Sequence, residues 1–183
     1  MSKLLRRIQI CGALLTIVVV GFGCTKQPSY GSQTSKGLFG YLTLTGEGGF
    51  VLNVPAKVIG VGDVSLSATY CDDRSSYFCI DSEVFHFAVP KEFPSKQKEW
   101  SSGGRTYQLE SPLHTVMFFG RRIQVELISS VGLKSANGPA AITYYLYSPD
   151  AGLLAVDTHG SGNVVRDVLV STGAHGFGAK SGN

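Results

Sequence analysis

From residue 38 onward, apolar side chains recur at every second position in short runs, and most of the runs end at glycine, proline or serine. Val64, Leu66, Ala68 and Tyr70 alternate with Ser65, Ser67 and Thr69. A period of two puts successive side chains on opposite faces, which specifies a strand with one dry and one wet face. Phe85, Phe87 and Val89 share one face of residues 83–89, and Ile123, Val125 and Leu127 alternate with Arg122, Gln124 and Glu126. Residues 38–44, 50–53, 56–61, 105–110 and 113–119 read as further strands. Residues 140–147 and 153–158 flank Ser148-Pro149-Asp150-Ala151-Gly152, whose Pro and Gly set turn angles, so they form a hairpin. Residues 164–171 supply the last strand. Roughly ten short strands with almost no helical periodicity predict an all-β domain, an antiparallel sandwich or barrel.

The breaks are as informative. Gly46-Glu47-Gly48-Gly49 and residues 134–139 carry turn chemistry. Pro90 and Pro94 forbid a central strand across residues 90–104, which read as a long surface loop. Ser95 could cap a short helix through Trp100, and Trp100 would attach the loop to the core. The Gly-rich tail from Gly173 is expected to fray.

Before residue 38 the chain changes character. Lys3, Arg6 and Arg7 precede an apolar run over residues 8–22, which ends at Gly21-Phe22-Gly23-Cys24. A basic head, a short apolar centre and small residues before a cut describe a secretory signal peptide, and the run falls short of the ~20 residues a membrane span needs. A Cys directly after such a run resembles the lipobox of bacterial lipoproteins. Gly23 and Cys24 fit it, while Gly21 stands where that family usually has Leu. The resemblance covers the signal and anchor alone. It implies cleavage before Cys24, acyl chains on Cys24 and, with Thr25 rather than Asp next, an outer membrane location facing the periplasm. Gly21-x-Gly23 also satisfies an ordinary signal-peptidase site, which would release a soluble exported protein. The expected division is residues 1–23 as signal, 24–37 as anchor and flexible tether, and 38–183 as one domain.

Removing residues 1–23 leaves 160 residues, enough for one sizeable core. It also removes 3 of 16 basic residues, leaving 13 against 13 acidic ones. A neutral chain with scattered Lys and Arg, densest at Arg121-Arg122, lacks a phosphate-neutralising surface, so nucleic acid is not an expected partner. Of four cysteines, Cys11 lies inside the signal and Cys24 is the lipidation candidate. Cys71 and Cys79 read as a disulfide in an exported chain. Free thiols and metal ligation are the rivals, the latter disfavoured by the wide spacing.

No stretch satisfies a catalytic motif. Asp157, His159 and Ser161 stand two apart, but Gly160 and Gly162 make a hairpin tip there, and the chain has no Gly-x-Ser-x-Gly. The same glycines hint at a phosphate loop, but a strand rather than a helix follows. His86, His114, His159 and His175 lack ligand spacing. Asp72, Asp73, Asp81 and Glu83 gather near the cysteine pair without a calcium-loop pattern. No cofactor or metal is implied. Trp100, Tyr144, Tyr145 and Tyr147, with Tyr107, are the aromatic set from which a binding surface could be built. The sequence therefore favours an envelope lipoprotein with a non-enzymatic binding, scaffolding or assembly role. Its partners would be the membrane and an envelope protein or glycan. An envelope hydrolase assembled from distant His, Asp and Ser residues is the alternative.

Overall fold

The computed structural model describes residues 36–92, 97–132, 142–159 and 167–180. The signal, Cys24, most of the tether, Ser95, the 134–139 turn and Ser161 lie outside them. The described residues form thirteen strands and no helix. They are β1 (Leu38–Thr43), β2 (Gly49–Asn53), β3 (Val58–Val61), β4 (Val64–Ser67), β5 (Thr69–Tyr70), β6 (Tyr77–Asp81), β7 (His86–Pro90), β8 (Glu99–Ser102), β9 (Arg105–Phe118), β10 (Arg121–Val131), β11 (Ile142–Ser148), β12 (Gly152–His159) and β13 (Asp167–Ser171). Ten make one sheet in the order β4-β3-β2-β1-β13-β12-β11-β10-β9-β8, and β5-β6-β7 make a second. All pairings are antiparallel. The arrangement is a sandwich of unequal sheets rather than a closed barrel.

Alternation decides which side chains lie between the sheets. Tyr41, Leu52, Ile59, Ile128, Tyr145, Tyr147, Leu153 and Val156 point inward from the large sheet, against Ile80, Phe87 and Val89 of the small one. Phe87 is fully buried, with ring centroids of Tyr145 at 5.1 Å, Tyr147 at 6.0 Å and Phe177 at 6.4 Å. The disulfide joins Cys71 and Cys79 with Cα atoms 5.1 Å apart. It closes the loop leading into β6 and, by chain entropy, stabilises the fold by about 2.5 kcal/mol.

Three expectations change. The 90–104 segment is no simple loop: Glu99–Ser102 forms β8, which hairpins onto β9 through Gly103 and Gly104, both at positive φ. Trp100 is in a strand, not a helix. The two short strands expected at 105–119 are one 14-residue strand, β9. Pro112 is tolerated there because β8 pairs only residues 105–108, so the missing N–H falls where no β8 residue pairs. The tail does not fray where it is described. Gly176 N–H donates to the Ala151 carbonyl and Leu153 N–H to the Phe177 carbonyl. Phe177 thereby enters the core beside Phe39, Tyr70 and Phe87.

Residues 113–125 extend past the sheet. β11 pairs β10 only over 126–131, so residues 121–125 of β10 pair with β9 alone and make a two-stranded arm. Phe118 pairs Arg121 across a two-residue turn, with Phe119 at φ 47° and Gly120 at φ 73°. Such type I′ turns favour Asn or Gly first, and a Phe there costs about 1 kcal/mol. One arm face (Val116, Phe118, Ile123) packs with Val125, Ala151, Leu154 and Leu146. By register, the arm tip extends from the end of the sheet where β1 begins, the Leu38 end. His159, Ile142 and the β1–β2 turn mark the opposite end.

Candidate functional site

The inner aromatic cluster is structural. Trp100, Tyr107, Tyr145 and Tyr147 are 3%, 1%, 1% and 0% exposed, which corrects their assignment to a binding surface. The physical reason is the open edge of β7. Trp100 Nε1–H donates to the Ala88 carbonyl at 2.9 Å and Tyr145 Oη–H to the His86 carbonyl at 2.6 Å. Side chains from the large sheet thus satisfy carbonyls that no further strand covers. Tyr147 Oη–H donates to Gly178 O at 2.8 Å, and Trp100 stacks on Tyr107 with centroids 5.8 Å apart. Burial raises the Tyr107, Tyr145 and Tyr147 hydroxyls well above the usual phenol value, so they remain donors.

Tyr144 alone of this set faces outward. The outer face of the large sheet carries an open groove of about 470 Å³. The cross-strand register builds it in rows. Leu127, Leu146 and Ala155 lie side by side on β10, β11 and β12. Tyr144, Asp157 and Val168 form the next row on β11, β12 and β13. His159 follows Asp157 two positions along β12, so both project from one face. Asp157 Oδ1 lies 3.2 Å from His159 Nε2, and the Tyr144 ring meets His159 edge-on at 5.2 Å between centroids. The site is an apolar floor (Leu127, Leu146, Ala155, Val168) closed at one end by a hydroxyl, a carboxylate and an imidazole. It can take an amphipathic ligand: an apolar body on the floor and a hydrogen-bonding head at the wall.

Asp157 and His159 were legible as neighbours, and the structure brings them together; Ser161 lies outside the described residues. The floor was missed. Its signal is the unbroken apolar run of residues 153–156 and the outward Leu146 between Tyr145 and Tyr147, where a wet face should be polar.

The other histidines stand elsewhere. His86 pairs with Asp81 at the turn end of the small sheet, His114 sits opposite Val125 on the arm, and His175 is exposed. Asp72 accepts the Arg74 and Ser75 amides through Oδ1, which is turn chemistry. No group of three His, Cys, Asp or Glu suited to a metal occurs among the described residues.

Glu126 is the anomaly of the inner face. It is 3% exposed, opposite Tyr147, with Oε2 lacking a hydrogen-bond partner. Burial raises its carboxyl above the ordinary 4.5. The folded state then holds a proton that the unfolded state has released, so stability falls as pH rises above about 4.5 through the raised folded value. Denaturant titrations from pH 4 to 8 should show that decline in the wild type and lose it in Glu126→Gln. An unchanged slope in the variant would place the effect in another group.

No family model matches the chain, and neither the curated proteins nor the solved structures give a match.

Proposed function

We propose that this chain is a cell-envelope lipoprotein, held by acyl chains on Cys24, whose β-domain binds an amphipathic ligand in the outer groove without catalysing its conversion. The observation that carries the binding part is the apolar floor of Leu127, Leu146, Ala155 and Val168 ending at Tyr144, Asp157 and His159. Leu146 also packs on the Val125–Leu154 cluster, but Leu127, Ala155 and Val168 carry the apolar surface on into a concave, open patch, as a ligand site requires. His86, His114 and His159 lie on separate surfaces, which favours binding over the hydrolase reading. The lipid anchor rests on the lipobox resemblance, and with Thr25 after Cys24 the expected station is the outer membrane, facing the periplasm. A soluble exported protein is the alternative. The partner would be an envelope glycan, lipid or protein segment with an apolar portion.

Two measurements test the two halves. Cys24→Ser should move the protein from the membrane fraction to the soluble one, and continued retention would sink the lipoprotein reading. An anilinonaphthalene probe should gain fluorescence on chain 24–183, and Ala155→Arg should abolish the gain without lowering the unfolding temperature. A probe signal that Ala155→Arg leaves intact would remove the groove from the proposal.

A further inference from the structure

The arm of residues 113–125 carries a feature that neither the core nor the groove uses. Its inward face packs on Ala151 and Leu154. Its other face presents Leu113, Met117 and Phe119, which are 41%, 64% and 58% exposed. Arg122 lies cross-strand from Met117, and Arg121 closes the turn beside Phe118. Both arginines are exposed, and neither is in an ion pair among the described residues. Residues 113–125 contain no carboxylate. The turn also holds Phe119 at positive φ, where a small polar residue would be relaxed and soluble. The Phe119 ring meets Phe118 edge-on, at 4.9 Å between centroids, and more than half of the residue stays exposed.

The charges among the described residues of the large sheet follow the same polarity. The turns and strand ends at the Leu38 end carry Lys36, Lys57, Arg121, Arg122 and Lys180 with Asp150. Among the described residues, the opposite end carries Glu47, Asp63, Asp157 and Asp167 with Arg105. The disulfide loop, also at the Leu38 end through the approach of Phe78 to Gly178, is close to neutral and does not cancel this. The segment that leads back to Cys24 joins β1 at this same end, at Lys36 and Gly37.

We infer that the arm is a second membrane contact: its tip rests in the headgroup layer of an anionic bilayer, with Phe119, Met117 and Leu113 at the acyl boundary and Arg121 and Arg122 on lipid phosphates. Aromatic rings favour that interface, and each arginine near an anionic surface adds attraction. A single lipid anchor permits free rotation, whereas anchor and arm together fix the Leu38 end toward the membrane. The groove's Asp157–His159 wall then faces away from the bilayer. The anchor part rests on the lipoprotein reading; the arm part does not.

The test therefore uses chain 24–183 with Cys24→Ser, which bears no acyl group. The buried cluster that holds the fold together is drawn from residues 39–177, so this chain retains it. It should co-sediment with phosphatidylcholine vesicles containing about a quarter phosphatidylglycerol and not with phosphatidylcholine alone. Phe119→Ser combined with Arg121→Glu and Arg122→Glu should weaken binding about tenfold or more, since each reversed charge turns attraction into repulsion. The unfolding temperature should be unchanged or higher, which separates lost binding from lost folding. Absence of vesicle binding would overturn the inference, as would binding that ignores the anionic lipid or survives the triple substitution. In cells, a photoreactive residue at position 117 should yield lipid adducts. A protein adduct in their place, from an acidic partner or a second copy of the chain, would also overturn it. None of these outcomes depends on Cys24, whose own fractionation experiment stands apart.

Discussion

Phe87→Ala is expected to destabilise the domain by about 3–5 kcal/mol. Its ring is fully buried on β7, an edge strand of the small sheet, and touches Tyr145, Tyr147 and Phe177. Removing it leaves a cavity between two sheets that cannot collapse independently. β7 is held to the large sheet on either side of Phe87, at the His86 and Ala88 carbonyls. The walls of the cavity are therefore fixed, and the cost should sit high in the usual range. For a domain of this size the unfolding midpoint should fall by roughly 10 °C or more. Calorimetry of the purified chain gives the value. A loss under about 1 kcal/mol would mean that the sheets move together and the side-chain bonds to β7 do not hold them.

Gly176→Ala should be nearly as damaging, for a different reason. Gly176 does not have positive φ; what it lacks is room. A Cβ there would overlap the backbone of Leu153, which no side-chain rotation relieves. The substitution must push the C-terminal segment off β12, breaking the bond between Leu153 N–H and Phe177 O and withdrawing Phe177 from the core. The loss is bounded by complete detachment of the segment, about 3–5 kcal/mol for a buried Phe and its neighbours. That bound is checkable. Deleting residues 173–183 should cost about as much, and the two changes together should cost no more than the deletion alone. Additive losses would show that Gly176 is needed elsewhere.

The sheet content of this protein was legible because alternation is a local property. Val64 to Tyr70, Ile123 to Leu127 and the Pro149–Gly152 hairpin are strands or turns whatever else the chain does, since the pleat sorts side chains by parity. The disulfide was legible from the cysteine pair Cys71 and Cys79. Asp157 and His159 were legible as same-face neighbours for the same reason of parity. β8 was not legible, because Pro90 and Pro94 stand before it and its four residues carry little pattern of their own. Nor was the docked tail, where Gly173, Gly176 and Gly178 promised freedom and one steric fit to Leu153 decided otherwise.

What parity cannot say is which face meets another sheet. Trp100, Tyr145 and Tyr147 look the same in sequence whether they grip a ligand or close a core. The small sheet made Trp100 and Tyr145 core by setting β7 carbonyls within reach of their N–H and O–H groups, and the docked C-terminal segment did the same for Tyr147 through the Gly178 carbonyl. The same covering left Tyr144, one residue from Tyr145, on the outer face beside His159. The groove floor draws on four strands, β10 to β13, and the arm exists because β10 and β9 outrun β11 and β8. The sequence alone determined strands, turns, the disulfide and the neutral charge of the chain after Cys24, because each depends on residues close together. The tertiary structure decided which aromatics are buried, where the groove lies and which end is basic, because those depend on the register of strands far apart in the chain.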